Sequence, residues 1–196
     1  MLTRRQFLKG VGATAAAGAA IPALPAFGQD EKTTGDADLL GPGEVPLTLT
    51  VNGKRHRLKV EPRVTLLSAL RNRLDVTGPK EACDRGACGA CTVLRDGEPI
   101  NACMSLAIES QGREITTVEG ISRGDALGPV QAAFVAHDAL QCGYCTSGMV
   151  LSVHALLERN PKATEADVRH AVSGNLCRCG TYPKVFEAAL AARKAK

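Results

Sequence analysis

Four of the eight cysteines in this 196-residue chain stand close together near the middle of the sequence. Cys83, Cys88, Cys91 and Cys103 have the spacing C-x4-C-x2-C-x11-C. This spacing is typical of plant-type [2Fe–2S] clusters, in which three closely spaced cysteines and a remote fourth supply two thiolates to each iron. The first cysteine set therefore predicts a cluster held by a wrapped loop.

Two glycines lie within this cysteine-rich loop. Gly86 and Gly89 allow the backbone to curl and to direct amide groups at the sulfur atoms. Hydrogen bonds to the sulfurs are one of the factors that set the reduction potential of a cluster, and they are expected to raise it. We therefore expect Gly86 and Gly89 to provide backbone contacts to the first cluster.

The other four cysteines form a second set with the spacing C-x2-C-x31-C-x-C, namely Cys142, Cys145, Cys177 and Cys179. Both pairs sit in short turns flanked by glycine, between segments with helical periodicity. Four thiolates can hold either a zinc ion or a second cluster. The C-x-C pair is unusual for structural zinc, and the neighbouring cluster motif favours iron.

Disulfide bonds are a further alternative, because an even number of cysteines in an exported protein permits them. The chain is, however, long enough to bury a hydrophobic core without covalent bridges. Three cysteines between Cys83 and Cys91 would also make a poor disulfide framework. We therefore expect two [2Fe–2S] clusters, with zinc and disulfides as the remaining alternatives.

Residues 1–28 are predicted to form a twin-arginine signal peptide. Arg4 and Arg5 precede an apolar, alanine-rich stretch, and small residues near Gly28 provide a cleavage point. Residues 29–43 are polar and glycine-rich, which predicts a flexible linker. Because the twin-arginine route carries folded proteins, we expect cofactor assembly in the cytoplasm and a periplasmic location.

The leader also accounts for the basic character of the chain. It contains three of the 24 Lys and Arg residues and no acid, which leaves 21 basic against 20 acidic side chains in the rest. Aromatic residues make up only 3% of the chain, fewer than a base-stacking surface requires. No apolar run reaches the ~20 residues of a spanning helix. We expect neither nucleic-acid binding nor stable membrane insertion.

Residues 44–122 are predicted to form a β-rich domain around the first cysteine set. Apolar residues alternate from Val45 to Val51, which predicts a strand, and Asn52-Gly53 predicts a hairpin turn to a second strand. Thr65 is expected to cap a helix. Further strands are predicted at Cys91–Arg95, Pro99–Ala102 and Ile115–Val118.

Residues 125–196 are predicted to form a helical domain around the second set. Pro129 suits the start of a helix whose Val130, Phe134 and Val135 share one face. Helical periodicity continues through Met149–Arg159. Thr164 with Asp167 predicts a capping box, and Pro183 opens a last helix. The fold class is therefore α+β.

Three sequence stretches together carry a family resemblance: CDRGACGACTV (residues 83–93), QCGYCT (141–146) and GNLCRCGTYP (174–183). In this order they resemble the small iron–sulfur subunit of the xanthine dehydrogenase and aldehyde oxidoreductase family, the molybdenum hydroxylases. The resemblance runs from about Val45 to the C-terminus. It implies a β-grasp, plant-type ferredoxin-like domain followed by a four-helix [2Fe–2S]-binding domain.

The resemblance also implies partner subunits and cofactors. A large subunit would hold molybdopterin, expected in its cytosine dinucleotide form, next to the cluster of the helical domain. The plant-type cluster would pass electrons to an FAD subunit or a c-type cytochrome. Gln141 matches the glutamine that hydrogen-bonds the pterin, and Cys179 matches the cluster ligand whose sulfur contacts the pterin amino group. Ser147 departs from the family, where many members have proline.

The twin-arginine leader resembles the periplasmic, aldehyde-oxidising branch of the family, which favours an aldehyde substrate. Alternatives are a subunit of an N-heterocycle or purine hydroxylase and a free-standing ferredoxin-like carrier. The sequence shows no Ser/His/Asp set, no paired carboxylates and no phosphate-binding loop. We therefore expect no catalytic residue on this chain, which would transfer electrons for chemistry on the large subunit.

Overall fold

Five strands form a mixed sheet in the first half of the chain. The computed structural model describes Thr3, Arg5 and residues 40–122, 124 and 126–193. The strands are β1 (Val45–Val51), β2 (Lys54–Val60), β3 (Thr92–Arg95), β4 (Glu98–Asn101) and β5 (Glu114–Thr116). Their order in the sheet is β2-β1-β5-β3-β4; the β1–β5 pair is parallel and the other pairs are antiparallel.

Both hairpins turn where the sequence predicts. Asn52 and Gly53 have φ angles of 52° and 74°, and Asp96 with Gly97 has 52° and 85°. Two successive positive φ values match the right-handed twist of the flanking strands, and Asn-Gly and Asp-Gly adopt them most easily. The second hairpin matters for the site, because the first cysteine set includes residues at its open end.

One helix covers the sheet. Helix α1 (Leu66–Arg73) begins after Thr65, whose hydroxyl oxygen accepts a hydrogen bond of 3.2 Å from the amide of Ser68, as the predicted cap requires. Its apolar face packs on β1, β2, β3 and β5. The buried side chains of this core include Leu47, Leu49, Val60, Leu66, Leu67, Leu70, Val93 and Ile115.

Four further helices follow: α2 (Pro129–Ala136), α3 (Thr146–Arg159), α4 (Glu165–Ala171) and α5 (Tyr182–Ala192). The capping box at α4 is confirmed, because Asp167 accepts from the Thr164 amide at 2.7 Å and its own amide donates to the Thr164 hydroxyl at 3.3 Å. The α+β class, with a β-grasp part before a four-helix part, is confirmed.

Two details of the sequence prediction are wrong. Val118 does not end a strand, since β5 stops at Thr116 and a 3-10 helix spans Val118–Ile121. Val135 is 62% exposed, whereas Val130 and Phe134 are buried. Val135 follows Phe134 directly, so it is turned by about 100° away from the face on which positions i and i+4 lie.

The sheet and the helices pack directly on each other. Leu94 of β3 is buried against Leu151 and Ala155 of α3, and Arg159 forms an ion pair of 2.6 Å with Glu98. Leu39–Lys196 form one compact unit. The domain limits at 44–122 and 125–196 therefore stay predictions.

The signal peptide predicted at residues 1–28 lies outside the described residues apart from Thr3 and Arg5, as does most of the linker at 29–43. Within the part of the chain that the structure describes, helices long and apolar enough to cross a membrane are absent.

Candidate metal centres

The first cysteine set lies around the open end of the β3–β4 hairpin. Cys91 directly precedes β3 and Cys103 follows β4 by two residues, and both are buried. The pairing of Thr92 with Asn101 brings these two chain ends together. The long loop between α1 and β3 supplies the half-buried Cys83 and Cys88.

The four thiols of this set lie close enough to act on one another. Cys83 interacts with Cys88, and Cys91 interacts with Cys103, while the Cys88 thiol also acts on Cys91 electrostatically. The pKa of Cys83 is lowered to about 7, first by hydrogen bonding from the Arg85 backbone and then by Cys88. Burial raises the pKa of Cys91 to about 12.

Backbone amides reach the sulfurs of this set. The Gly86 amide donates to Cys103 Sγ at 3.3 Å, and the Ala87 amide donates to Cys83 Sγ at 3.3 Å. Gly86 has a φ of +71°, which a glycine adopts at little cost. Gly89, predicted as a similar contact, donates to no sulfur among the described residues; its carbonyl oxygen accepts from Thr92 and Asn175.

The second cysteine set joins two loops of the helical part. Cys142 lies between α2 and α3, and Cys145 occupies the position before the first residue of α3. Cys177 and Cys179 lie between α4 and α5. The helices bring the two loops together, so that residues 32 or more positions apart in the chain become neighbours.

The four thiols of the second set also act on one another. Cys145 interacts with Cys177, and Cys142 interacts with Cys179. Burial raises the pKa of Cys145 to about 12. The backbone of Cys142 lowers the pKa of Cys179, but the Cys142 and Cys177 thiols raise it and the net direction is upward.

Thr181 is a polar partner of this set that the sequence patterns did not indicate. Its hydroxyl lies 3.2 Å from Cys177 Sγ and its amide donates to the same sulfur at 3.5 Å. Burial raises the pKa of Cys177, but these contacts outweigh it and hold the pKa at about 7. Thr181 thus favours the thiolate, which is the form that binds a metal.

The donor set at each site fits a [2Fe–2S] cluster, which needs two thiolates on each of two irons. Structural zinc also takes four thiolates, but around a single point.

Gln141 stands at the exposed edge of the second set, next to the exposed Cys142 and near the exposed Cys179. Its side-chain amide makes no hydrogen bond to any described residue. It does not cap the turn before Cys142, and both its donor and its acceptor remain available to another molecule. Three large apolar side chains nearby are also exposed: Leu140, Tyr144 and Leu176.

Two further contacts join the loops of the two sets. The Tyr144 hydroxyl donates to the carbonyl oxygen of Glu81, and the amide of Leu176 donates to the carbonyl oxygen of Cys88 at 2.9 Å. The buried Asn175 lies beside the second contact. Sequence patterns could not reveal these partners, because each contact joins residues more than 60 positions apart.

Models of two protein families cover most of the mature chain. Residues 49–117 match the 2Fe–2S iron–sulfur cluster binding domain and residues 117–190 match the [2Fe–2S] binding domain. Residues 1–20 match the signal sequence of the twin-arginine translocation pathway. The first two matches meet at residue 117, between β5 and the 3-10 helix at Val118–Ile121.

Named relatives agree with these matches. The iron–sulfur-binding subunit PaoA of an aldehyde oxidoreductase from Escherichia coli O157:H7 is 44% identical over 202 residues, covering 95% of this chain and 86% of that protein. The nicotine 6-hydroxylase small subunit of Paenarthrobacter nicotinovorans is 49% identical over 146 residues, covering 74% and 88% respectively.

Solved structures share the fold. Quinoline 2-oxidoreductase from Pseudomonas putida 86 gives a TM-score of 0.75 at 42% identity, over 78% of this chain and 96% of that chain. Aldehyde oxidoreductase from Desulfovibrio gigas has a TM-score of 0.73 and 36% sequence identity, over 77% of this chain and 17% of that chain. The chain belongs to the iron–sulfur subunits of the aldehyde oxidoreductase and xanthine dehydrogenase family, the molybdenum hydroxylases.

Proposed function

We propose that this chain transfers electrons within an exported, molybdenum-dependent aldehyde oxidoreductase, from a molybdopterin site on a large subunit to an external acceptor. Family membership makes it an oxidoreductase subunit with an electron-transfer role. The observation that carries the proposal is that the fold brings eight free cysteines together in two sets of four, whose thiols act on one another. A one-electron carrier on this chain needs such a metal centre, because protein side chains alone supply none at ordinary potentials.

The eight cysteines are the proposed ligands. Cys83, Cys88, Cys91 and Cys103 would hold one [2Fe–2S] cluster, and Cys142, Cys145, Cys177 and Cys179 the other. Each cluster would accept and release one electron at a time. In the first set the amides of Gly86 and Ala87 hydrogen-bond the sulfurs, and in the second set Thr181 does so, which would stabilise the thiolates and tune the potentials.

The exposed edge of the second set is the proposed face toward the molybdopterin subunit. Cys142 and Cys179 are exposed there, and the unpartnered amide of Gln141 can donate and accept at once. A polar ring system such as a pterin offers complementary groups. Gln141 would therefore orient the pterin, and Cys179 Sγ would contact its amino group.

Electrons would leave through the first set. The half-buried Cys83 and Cys88 lie on the outer side of that set, and the exposed Met104 follows Cys103 directly. An FAD-binding subunit or a c-type cytochrome would be the acceptor. The twin-arginine match at residues 1–20 supports assembly in the cytoplasm and action in the periplasm.

The substrate class rests on the relatives. The subunit named for aldehyde oxidation matches 95% of this chain, including the leader, and this favours an aldehyde. A second candidate is an N-heterocycle, because the nicotine 6-hydroxylase subunit has a higher identity, 49%, over the part that it covers. In both cases the substrate would bind to the large subunit.

Purification of the native complex with metal and cofactor analysis tests this function. We expect a larger molybdopterin-containing subunit to copurify, and about four irons per copy of this chain. Turnover with a panel of aldehydes and N-heterocycles would then separate the two substrate classes. Recovery of the chain alone, or with zinc in place of iron, would contradict the proposal.

A further inference from the structure

Asn175 has a buried side chain that bridges the helical part and the first cysteine loop. Only 3% of the residue is exposed. Its Nδ2 donates to the carbonyl oxygen of Gly89 at 2.9 Å and lies 3.3 Å from Thr92 Oγ1, and its Oδ1 accepts from the hydroxyl of Ser152 at 2.8 Å. The side-chain amide of Asn175 therefore accepts a hydrogen bond from α3 through its oxygen and donates one through its nitrogen to the loop between Cys88 and Cys91.

The backbones around this amide approach each other closely. A Cβ atom on Gly89 would lie 2.4 Å from the carbonyl oxygen of Gly174, and one on Gly148 would lie 2.3 Å from the carbonyl oxygen of Gly89. Neither position leaves room for a side chain, so the two loops meet through backbone. Right beside Asn175, the amide of Leu176 donates to the carbonyl oxygen of Cys88 at 2.9 Å.

This contact lies between the two cysteine sets. Gly89 is the neighbour of Cys88 in one set, and Asn175 stands two residues before Cys177 in the other. The Tyr182 hydroxyl holds the Asn175 loop from its other side, since it accepts from the Cys177 amide at 2.9 Å and donates to the Asn175 carbonyl oxygen at 3.1 Å. A shift of Asn175 would therefore move Cys177 relative to Cys88.

We propose that Asn175 is a positioning residue that fixes the separation of the two cysteine sets and thereby sets the rate of electron transfer between their clusters. The proposal rests on the ligand assignment of the proposed function. In the step concerned, one electron would pass from a reduced centre held by the second set to an oxidised centre held by the first set. The centre at the second set would thereby be oxidised and the centre at the first set reduced. No bond forms or breaks and no proton moves.

An asparagine is suited to this position because the position requires a hydrogen-bond donor and an acceptor at once, and the side-chain amide supplies both. Aspartate has nearly the same shape, but its carboxylate would face the carbonyl oxygen of Gly89 without a proton between them. Loss of a buried hydrogen bond corresponds to a shift of roughly 5- to 150-fold in the equilibrium between closed and open loops. Local opening of this kind is measured by amide hydrogen exchange.

The test compares Asn175→Asp and Asn175→Ala with the unmodified chain in the cluster-loaded complex. Exchange of the peptide containing the Leu176 amide should accelerate by roughly 5- to 150-fold, while the core of the sheet stays protected. After rapid reduction of the second centre, electron arrival at the first should slow, and magnetic coupling between the two reduced centres should weaken. In Asn175→Ala, which adds no charge, each centre should keep its own midpoint potential.

Asn101→Ala is the matched control for Asn175→Ala, because it removes the same kind of amide and adds no charge. The Asn101 amide donates to the carbonyl oxygen of Gly86 at 3.2 Å, which is the same kind of contact within the first cysteine loop, but it does not reach the helical part. It should leave exchange at Leu176 and intercluster transfer unchanged. If the Asn175 variants fail to fold, Ser152→Ala replaces them, because it removes the hydrogen bond to Asn175 Oδ1. Its acceleration of Leu176 exchange should be larger than that of Asn101→Ala and smaller than that expected for Asn175→Ala.

Two results would overturn the role of Asn175. The first is that the Asn175 variants show the same rate of intercluster transfer and the same exchange at Leu176 as the unmodified chain. The other is faster exchange throughout the chain with unchanged transfer in the folded molecules, which is the behaviour of a purely stabilising residue. If the unmodified chain showed no pair of iron–sulfur signals, the proposed function would fail instead, so the two failures are distinguishable.

Discussion

The backbone amide of Leu176 donates a hydrogen bond of 2.9 Å to the carbonyl oxygen of Cys88. The two residues are far apart in sequence, and each adjoins or belongs to a different cysteine set. The bond therefore links the sheet part and the helical part between the two cysteine sets. A link of this kind restricts how far the two sets can move relative to each other.

Gly148→Ala tests how tightly this junction is packed. Alanine is favoured over glycine inside a helix by about 1 kcal/mol, and Gly148 lies in α3. A Cβ atom there would, however, lie 2.3 Å from the carbonyl oxygen of Gly89, and overpacking costs about 1–3 kcal/mol. We expect a lower thermal midpoint for loss of the visible iron–sulfur absorption.

Gly174→Ala is the control for this prediction. No atom lies within 4 Å of a Cβ at Gly174, although the residue belongs to the same junction. This variant should keep the midpoint of the unmodified chain. An unchanged or higher midpoint for Gly148→Ala would mean that the helix propensity outweighs the contact with Gly89.

Cys88→Ser should remove one cluster signal and preserve the other. The proposed ligand sets share no residue, and the Cys88 thiol interacts with Cys83 and Cys91 of its own set. Low-temperature paramagnetic resonance of the reduced variant measures this directly. Cys145→Ser is the matched variant and should remove the other signal. Loss of both signals from either variant would contradict the assignment of two independent centres.

The sequence predicts the local elements of this fold because their signals are local. Asn52-Gly53 determines a turn through the φ values that these residues tolerate, and Thr164 with Asp167 determines a helix start through bonds over three residues. The cysteine spacing is equally local within Cys83–Cys91. The prediction of a strand through Val118 is wrong because β-propensity does not specify where ladder pairing stops.

The junction could not be predicted from sequence in the same way. Asn175 and Thr181 look like ordinary turn residues beside Cys177, and nothing near them in the chain indicates Gly89 or Ser152. The partners of Asn175 are brought close only when α3 packs on β3 through Leu151. The interactions among the cysteines within each set likewise depend on the folded loops.

Gln141→Ala should weaken docking of molybdopterin and leave both clusters intact. All eight thiols remain, and the Gln141 amide has no partner among the described residues whose loss could disturb them. Loss of a hydrogen bond that is buried in the complex costs about 1–3 kcal/mol, or roughly a 5- to 150-fold change in the binding constant. Molybdopterin occupancy and the rate of cluster reduction by substrate measure it.

Gln111→Ala provides the comparison for Gln141, since Gln111 is also exposed but lies in the sheet part. It should leave occupancy unchanged. Normal occupancy in Gln141→Ala together with an altered signal of the second cluster would mean that Gln141 supports the cysteine loop and does not contact the pterin.

Replacement of Arg4 and Arg5 by lysine should hold the protein in the cytoplasm with its clusters already present. The twin-arginine match covers residues 1–20, and this route recognises the arginine pair and carries folded proteins. Cell fractionation followed by iron analysis of the cytoplasmic pool measures both points. Unimpaired export of the double variant would contradict a twin-arginine route.

A reductive titration of the cluster-loaded chain, followed by paramagnetic resonance, tests the central claim most directly. The two sets differ in their sulfur contacts, with backbone amides at one and Thr181 at the other, and such contacts set cluster potentials. We predict two distinct one-electron signals with separate midpoint potentials. A single signal, or a colourless zinc-containing protein, would contradict the two-cluster account.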